Sequence, residues 1–105
     1  MKTYKIKYAG KQSKILAEDI LKIEAAINYS IIYLKSGLSI IVARTLKKYE
    51  KELQNEFFRV NRSTLVNLKF IDLHSNGQVM LCNGQSFTIS RRRINHFNIL
   101  INHAV

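Results

Sequence analysis

Three consecutive arginines, Arg91-Arg92-Arg93, follow Ser90 near the end of the chain. The apolar spacing after them predicts a helix, with Ser90 as a candidate cap. Cations at a helix start are disfavoured by roughly 0.3–1 kcal/mol each. The same N–H groups and guanidinium forks become favourable partners when a phosphate is bound. The run therefore indicates an anion-binding site, with a solvated basic turn as the alternative.

A second group of polar side chains stands between apolar residues in the middle of the chain. Arg59 and Arg62 could pair with guanine edges, and Asn61 could pair with adenine. Ser63 suits a phosphate. Both Ser63 and Asn67 could instead satisfy backbone groups within a tight turn, and for Asn67 we favour that structural role.

The charge balance favours a polyanionic partner. Lys and Arg total 17 against 7 acidic residues, which gives a formal net charge of +10. Each cation placed on a phosphate releases a condensed counterion, so nucleic acid is favoured over an anionic membrane or a merely well-solvated surface. No acidic residue follows Asp72, so the C-terminal third is a candidate anion-binding face.

The sequence gives little support for an enzyme or a membrane protein. The sequence has no Gly-rich phosphate loop, no C-x-x-C pair and no G-x-S-x-G nucleophile motif. Its 3 histidines lack metal-ligand spacing, and no apolar run approaches a membrane span. Cys82 is the single cysteine, which suits a reducing compartment. We expect a soluble cytoplasmic protein that is not an enzyme, needs no cofactor and binds no membrane.

Glycines divide the chain into short apolar stretches. Asn76-Gly77 and Asn83-Gly84 flank one of these, and Asn-Gly between apolar runs is typical of hairpin turns, because both residues tolerate a positive φ. The two turns predict a three-strand meander over about 68–89. Alternation over Tyr4–Tyr8 predicts another strand, and Ser36-Gly37 separates two more.

Two stretches have helical spacing instead. Apolar residues recur at i, i+3 and i+7 at Leu46, Tyr49 and Leu53, and again at Ile94, Phe97 and Ile101. These patterns predict one helix near 45–53, with Thr45 as its N-cap, and a short C-terminal helix near 93–101. The remainder consists of short strands. We therefore predict a mostly β fold with short helices, in which residues 1–105 form a single domain.

The segment F-F-R-V-N-R-S-T-L-V-N at 57–67, with F-T-I-S-R-R-R at 87–93, resembles the hallmark of the LytTR family of DNA-binding domains. That hallmark is an F-x-R-x-H-R-S-x-x-V-N run with a later strand ending in S-R-R. The resemblance extends over about 14–100. It departs at Asn61, which stands where the family has histidine and which, unlike histidine, does not titrate near neutral pH.

The resemblance implies an elongated arrangement of small antiparallel sheets. It also implies sequence-specific binding of double-stranded DNA for transcription regulation, with loops entering successive major grooves of a direct repeat. A third loop follows Leu21–Ala25, which matches the family's Y-I-E-A-like strand. The residues indicated for DNA contact are Asn28, Tyr29, Ser30, Arg59, Asn61, Arg62, Ser63, Arg91, Arg92 and Arg93.

LytTR domains usually follow a phospho-receiver domain in two-component response regulators. The resemblance thus implies a receiver domain or sensor kinase as a partner, and it allows a homodimer on DNA. Since the chain starts at Met1 without room for a receiver, we expect either a stand-alone regulator or a fragment of a larger one. The alternative function is an RNA- or ribosome-binding β module, which should expose aromatic residues on a sheet face. The aromatic residues here mostly occupy alternating, core-like positions, which argues against it.

Overall fold

The computed structural model describes the backbone of residues 3–8 and 11–103 and the side chains of residues 14–102. Within these residues, ten strands form three antiparallel sheets. The strands are β1 Thr3–Tyr8, β2 Lys11–Leu16, β3 Ile20–Ala26, β4 Tyr29–Leu34, β5 Ser39–Val42, β6 Phe57–Asn61, β7 Thr64–Asn67, β8 Ile71–Ser75, β9 Gln78–Leu81 and β10 Ser86–Thr88. The helices are α1 Leu46–Glu52 and α2 Ile94–His103, and short 3-10 turns cover Ala17–Asp19, Leu68–Phe70 and Arg91–Arg93. These elements confirm the predicted mostly β fold, and the extents of 42 × 25 × 23 Å confirm that it is elongated.

A five-stranded sheet, ordered β5-β4-β3-β7-β6, lies between two hydrophobic cores. Strand β7 is buried at every position and β3 at its first four, because both faces of these strands are covered. On one face α1 packs against the sheet. On the other face the meander β8-β9-β10 and α2 pack together, with Phe58 and Phe97 meeting edge to face at 5.2 Å between ring centroids.

The predicted apolar stripes of both helices face these cores. Leu46, Tyr49 and Leu53 are 4%, 2% and 0% exposed, which confirms that they face the sheet. Phe97 is buried in the second core, where Ile94 and Ile101 are partly buried against it. Burial of these stripes supplies most of the stability of such short helices.

The two helix starts differ. The Thr45 hydroxyl accepts a hydrogen bond from the Lys48 N–H at 3.4 Å, so the predicted N-cap is confirmed. After Ser90 the chain first forms the 3-10 turn, and α2 begins only at Ile94. The Ser90 hydroxyl makes no cap bond to the backbone and accepts instead from Arg93 Nη1 at 3.1 Å. The predicted capping role of Ser90 is therefore wrong for its side chain.

The predicted meander is present, and its two turns differ. Asn76 and Gly77 have φ values of 52° and 77°, as the two-residue hairpin between β8 and β9 requires. Between β9 and β10 the loop is longer, and of the Asn83-Gly84 pair only Gly84 has a positive φ, 89°. The Asn83 side chain accepts from the Gln85 N–H at 3.0 Å instead. The side chains of Tyr4–Tyr8, whose alternation predicted a strand, lie outside the described residues.

Candidate nucleic-acid interface

Two of the predicted loops meet at one end of the five-stranded sheet, here called the loop end. Ile27-Asn28 joins β3 to β4, and Arg62-Ser63 joins β6 to β7. Since β3 and β7 are antiparallel neighbours with Glu24 opposite Thr64, both turns project from the same end of the sheet. The Ala25 N–H donates to the Ser63 carbonyl at 2.8 Å and ties the two turns together.

The arginine run reaches the same end of the sheet. The Ser90 N–H donates to the Val60 carbonyl, near the end of β6, at 2.8 Å. The preceding Ile89 N–H donates to the Gly77 carbonyl, also at 2.8 Å, which fixes the chain on its other side. Three segments that are far apart in sequence are thus brought together by backbone hydrogen bonds.

The predicted side chains differ in their accessibility. Six are exposed, namely Asn28, Tyr29, Arg62, Ser63, Arg91 and Arg92. Three are partly buried, namely Arg59, Asn61 and Arg93. The fold thus brings nine of the ten predicted residues to or near the surface of the loop end.

Ser30 departs from its predicted role. The residue is 0% exposed, and its hydroxyl donates to the Arg44 carbonyl at 2.6 Å. This bond holds the chain that leaves β5, so the side chain has no access to a ligand. In contrast to the sequence-based prediction, we assign Ser30 to the scaffold and leave it out of the contact surface.

Asn61 and Ser63 hold each other within their turn. The Asn61 Oδ1 atom accepts from the Ser63 N–H at 2.9 Å and from the Ser63 hydroxyl at 3.0 Å. A bidentate pairing with adenine needs both a donor and an acceptor from the same amide. Because the acceptor is engaged, the Asn61 amide offers its N–H donors to an outside partner.

Arg59 bridges α1 and the Arg62-Ser63 turn. Its Nη1 donates to Glu50 Oε1 at 3.0 Å, and its Nη2 donates to the Arg62 carbonyl. Its Nε is buried and has no hydrogen-bond partner among the residues that the structure describes. The guanidinium that was predicted to pair with a base is thus directed at protein groups, and Glu50 of α1 is part of its support.

Cations are crowded beside this bridge. Arg93 is partly buried, and its pKa is lowered from the ordinary value by burial and by the neighbouring charges of Arg92 and Arg59. Glu50 acts in the opposite direction. A cluster of like charges favours a bound anion, and Arg91 and Arg92 are exposed to solvent where such an anion could reach them.

Two further residues complete the description of the site. Asn67 has the structural role favoured from sequence, since its Nδ2 donates to the Ile20 carbonyl at 2.9 Å and its Oδ1 accepts from the Lys69 N–H at 3.0 Å. Ile27, which sequence reasoning missed, is 88% exposed beside Asn28. The signal was available, because an isoleucine in a two-residue hairpin turn has no core to enter.

These features define a class of protein: a basic binding domain that presents loops from one end of a β scaffold. The model of the LytTr DNA-binding domain matches residues 10–102, and the chain therefore belongs to the LytTR family. This is a family of DNA-binding domains and not of enzymes, and the match does not favour the RNA-binding alternative. Comparison with curated proteins gave no match.

Among solved structures, the chain is similar to the LytTr DNA-binding domain of a putative methyl-accepting/DNA response regulator from Bacillus cereus. The TM-score is 0.76 at 21% sequence identity, and the match covers 94% of this chain and 95% of that chain. At this identity the likeness establishes the fold. In the described part of the chain, neither helix has the length and hydrophobicity needed to span a membrane.

Proposed function

We propose that this LytTR domain binds double-stranded DNA sequence-specifically and regulates transcription, with its loops inserted into successive major grooves of a direct repeat. The observation that carries the proposal is the convergence of the three loops. The Ala25 N–H donates to the Ser63 carbonyl and the Ser90 N–H to the Val60 carbonyl, each at 2.8 Å, so backbone hydrogen bonds connect the three loops. A rigid scaffold carrying exposed polar loops is the usual arrangement for a recognition site.

The solvent exposure of the arginine side chains supports different contacts for different arginines. Arg62 and Arg92 occupy the family's groove-facing positions and are exposed, so we assign them to guanine edges. Arg91 and Arg93 flank Arg92 and suit phosphates, which position the protein without reading sequence. Arg59 acts as a positioning residue for the turn that carries Arg62.

The uncharged residues add contacts of other kinds. Tyr29 is 50% exposed, and we place it beside Asn28 at a base or sugar edge. Ile27 suits a thymine methyl group, which an apolar side chain can contact in the major groove. Asn61 contributes an amide donor to a base or phosphate acceptor, because its oxygen is held by Ser63.

In this proposal residues 1–105 act as a single output domain of a response regulator. A receiver domain or sensor kinase supplies the input, and a homodimer occupies the two halves of a direct repeat. A cytoplasmic location follows from that role. These assignments are supported by the family to which the chain belongs and by its net charge of +10.

The test is a selection from random duplexes, followed by titration of Arg92→Ala on the selected and on random DNA. Loss of a base-reading arginine should cost about 1–3 kcal/mol on the selected site and much less on random duplex. Lys35→Ala is a matched control, because it removes one charge at the opposite end of β4, about 20 Å from the β3–β4 turn. Equal losses on both DNAs would contradict base reading, and stronger binding to structured RNA would contradict DNA as the target.

A further inference from the structure

An open groove of about 370 Å³ lies between α1 and α2 and ends at the Arg59 bridge. Its volume falls within the range of small-molecule sites, roughly 300–1,000 Å³. Phe57 and Phe58 form its floor but are only 2% and 4% exposed, so the accessible apolar surface comes mainly from Leu100 of α2 and the aliphatic stems of the lysines. An apolar group of moderate size can therefore bury part of its surface in the groove.

Cations dominate the polar part of this groove. The cationic lining consists of Lys47, Lys51, Arg59 and Arg93. A single carboxylate, Glu50, stands among the lining residues that the structure describes, and its Oε1 is already paired with Arg59 at 3.0 Å. A neutral or cationic ligand would leave these charges unbalanced, whereas an anion would offset them.

We propose that this groove binds a small organic anion, a carboxylate carried on an aromatic ring or short acyl chain. The apolar body lies against Leu100 above the floor of the groove, and the carboxylate lies between the lysines of α1 and the Arg59 bridge. An inorganic anion would use the cations and leave the apolar wall in water, while a neutral ring would do the reverse. Cationic and apolar lining together therefore favour a ligand that carries both a carboxylate and an apolar group.

The groove is also connected to the loop end. Arg59 holds Glu50 with one terminal nitrogen and the Arg62 carbonyl with the other. A carboxylate that competes with Glu50 for Arg59 would alter the support of the recognition turn. Occupation of the groove should therefore change DNA affinity, and this coupling rests on the proposed function whereas the binding itself does not.

Binding is tested by NMR titration of the intact chain with 1-naphthoate. We expect affinity that is roughly millimolar, with shifts concentrated at the amides of Lys51, Phe58 and Leu100. The neutral analogue 1-naphthalenemethanol and sulfate should each bind several-fold more weakly. Equal binding of the alcohol or of sulfate, shifts elsewhere, or no binding would overturn the assignment.

Charge variants on α1 sharpen the result. Lys47→Gln combined with Lys51→Gln should weaken naphthoate about two- to tenfold, because each removes one exposed ion-pair partner. The control Lys48→Gln removes one lysine charge from the same helix, outside the groove lining, and should leave naphthoate affinity unchanged. An equal effect of Lys48→Gln would refute the location.

Coupling is measured separately, as the duplex affinity with and without saturating naphthoate. A change in duplex affinity of twofold or more should be matched by the same factor in naphthoate affinity when DNA is added. Groove binding without any such change would refute the coupling. Because the first titration contains no DNA, failure of the DNA-binding proposal would not affect it.

Discussion

Replacing Arg59 with alanine should loosen the turn that carries Arg62, and the effect should appear first in stability. The Arg59 side chain is 19% exposed and connects Glu50 of α1 to the Arg62 carbonyl. Alanine removes both connections at once. If Arg59 is a positioning residue, the variant should therefore unfold more easily even when no DNA is present.

The size of the effect follows from the environment of each contact. The Glu50 side chain is 42% exposed, so the ion pair contributes only about 0.2–1 kcal/mol. The bond to the Arg62 carbonyl comes from a charged donor and contributes about 1.5 kcal/mol. Alanine also removes the buried Nε of Arg59, which has no partner in the described part of the chain, and this offsets roughly 1 kcal/mol. We expect a net loss of about 0.7–1.5 kcal/mol, or roughly 3–12 °C in Tm.

Thermal unfolding followed by circular dichroism measures this loss, and a double-mutant cycle with Glu50→Gln isolates the pair. The cycle should return a coupling of about 0.2–1 kcal/mol. Arg92→Ala is the control, because it removes an exposed arginine and should change stability by about 0.5 kcal/mol or less. An unchanged Tm for Arg59→Ala, together with lost preference at one base pair, would refute the reasoning and make Arg59 a base-reading residue.

The remaining predictions concern salt, the core and alkaline pH. Duplex binding should weaken with a log–log salt slope of roughly −0.9 per phosphate for about four to eight contacts, and a near-zero slope would remove nucleic acid as the partner. Arg93→Ala should weaken selected and random duplex equally and flatten that slope by about one unit; an unchanged slope would contradict its phosphate role. Leu53→Ala should cost about 2–4 kcal/mol in urea unfolding, because the side chain is 0% exposed, and a loss below about 1 kcal/mol would count against that burial. Burial raises the pKa of Tyr49 despite the opposing charge of Arg44, so its contribution is present below the unfolded pKa of about 10 and is lost as pH rises through the folded pKa. Tyr49→Phe should therefore lose less stability than the parent in unfolding titrations above about pH 10, and identical alkaline profiles would refute this.

Local rules predicted the elements well where a residue's own conformation decides the outcome. Asn76-Gly77 forms the expected hairpin because both residues adopt a positive φ. The same dipeptide at Asn83-Gly84 behaves differently, since the Asn83 side chain bonds to the Gln85 N–H. Whether the asparagine adopts a positive φ or bonds through its side chain depends on the length of the loop. The register of β9 against β10 sets that length.

In the candidate site, local sequence rules likewise did not predict the direction of every side chain. The sequence located the three loops, and a polar run at Asn28-Tyr29-Ser30 suggested that all three residues were available. Pairing of β4 with β5 instead places Ser30 opposite Val42, on the face that buries Ile32 two residues later. The alternation of side chains along β4 was a usable signal, because it places Ser30 on the same face as Ile32. For Arg59 no local signal existed, because its partner Glu50 comes from a different element.

The register of β7 is what makes the loop end a defined surface. Leu65 belongs to the core against α1, and Val66 belongs to the core against α2 and the meander. A slip of one residue would exchange these side chains between two cores of different shape, so burial on both faces disfavours it strongly. Since β7 pairs with β3 through Leu65 opposite Ile23, the same packing fixes the Arg62-Ser63 turn beside the β3–β4 turn. The position of the loops relative to one another is thus determined by apolar residues that never reach the surface.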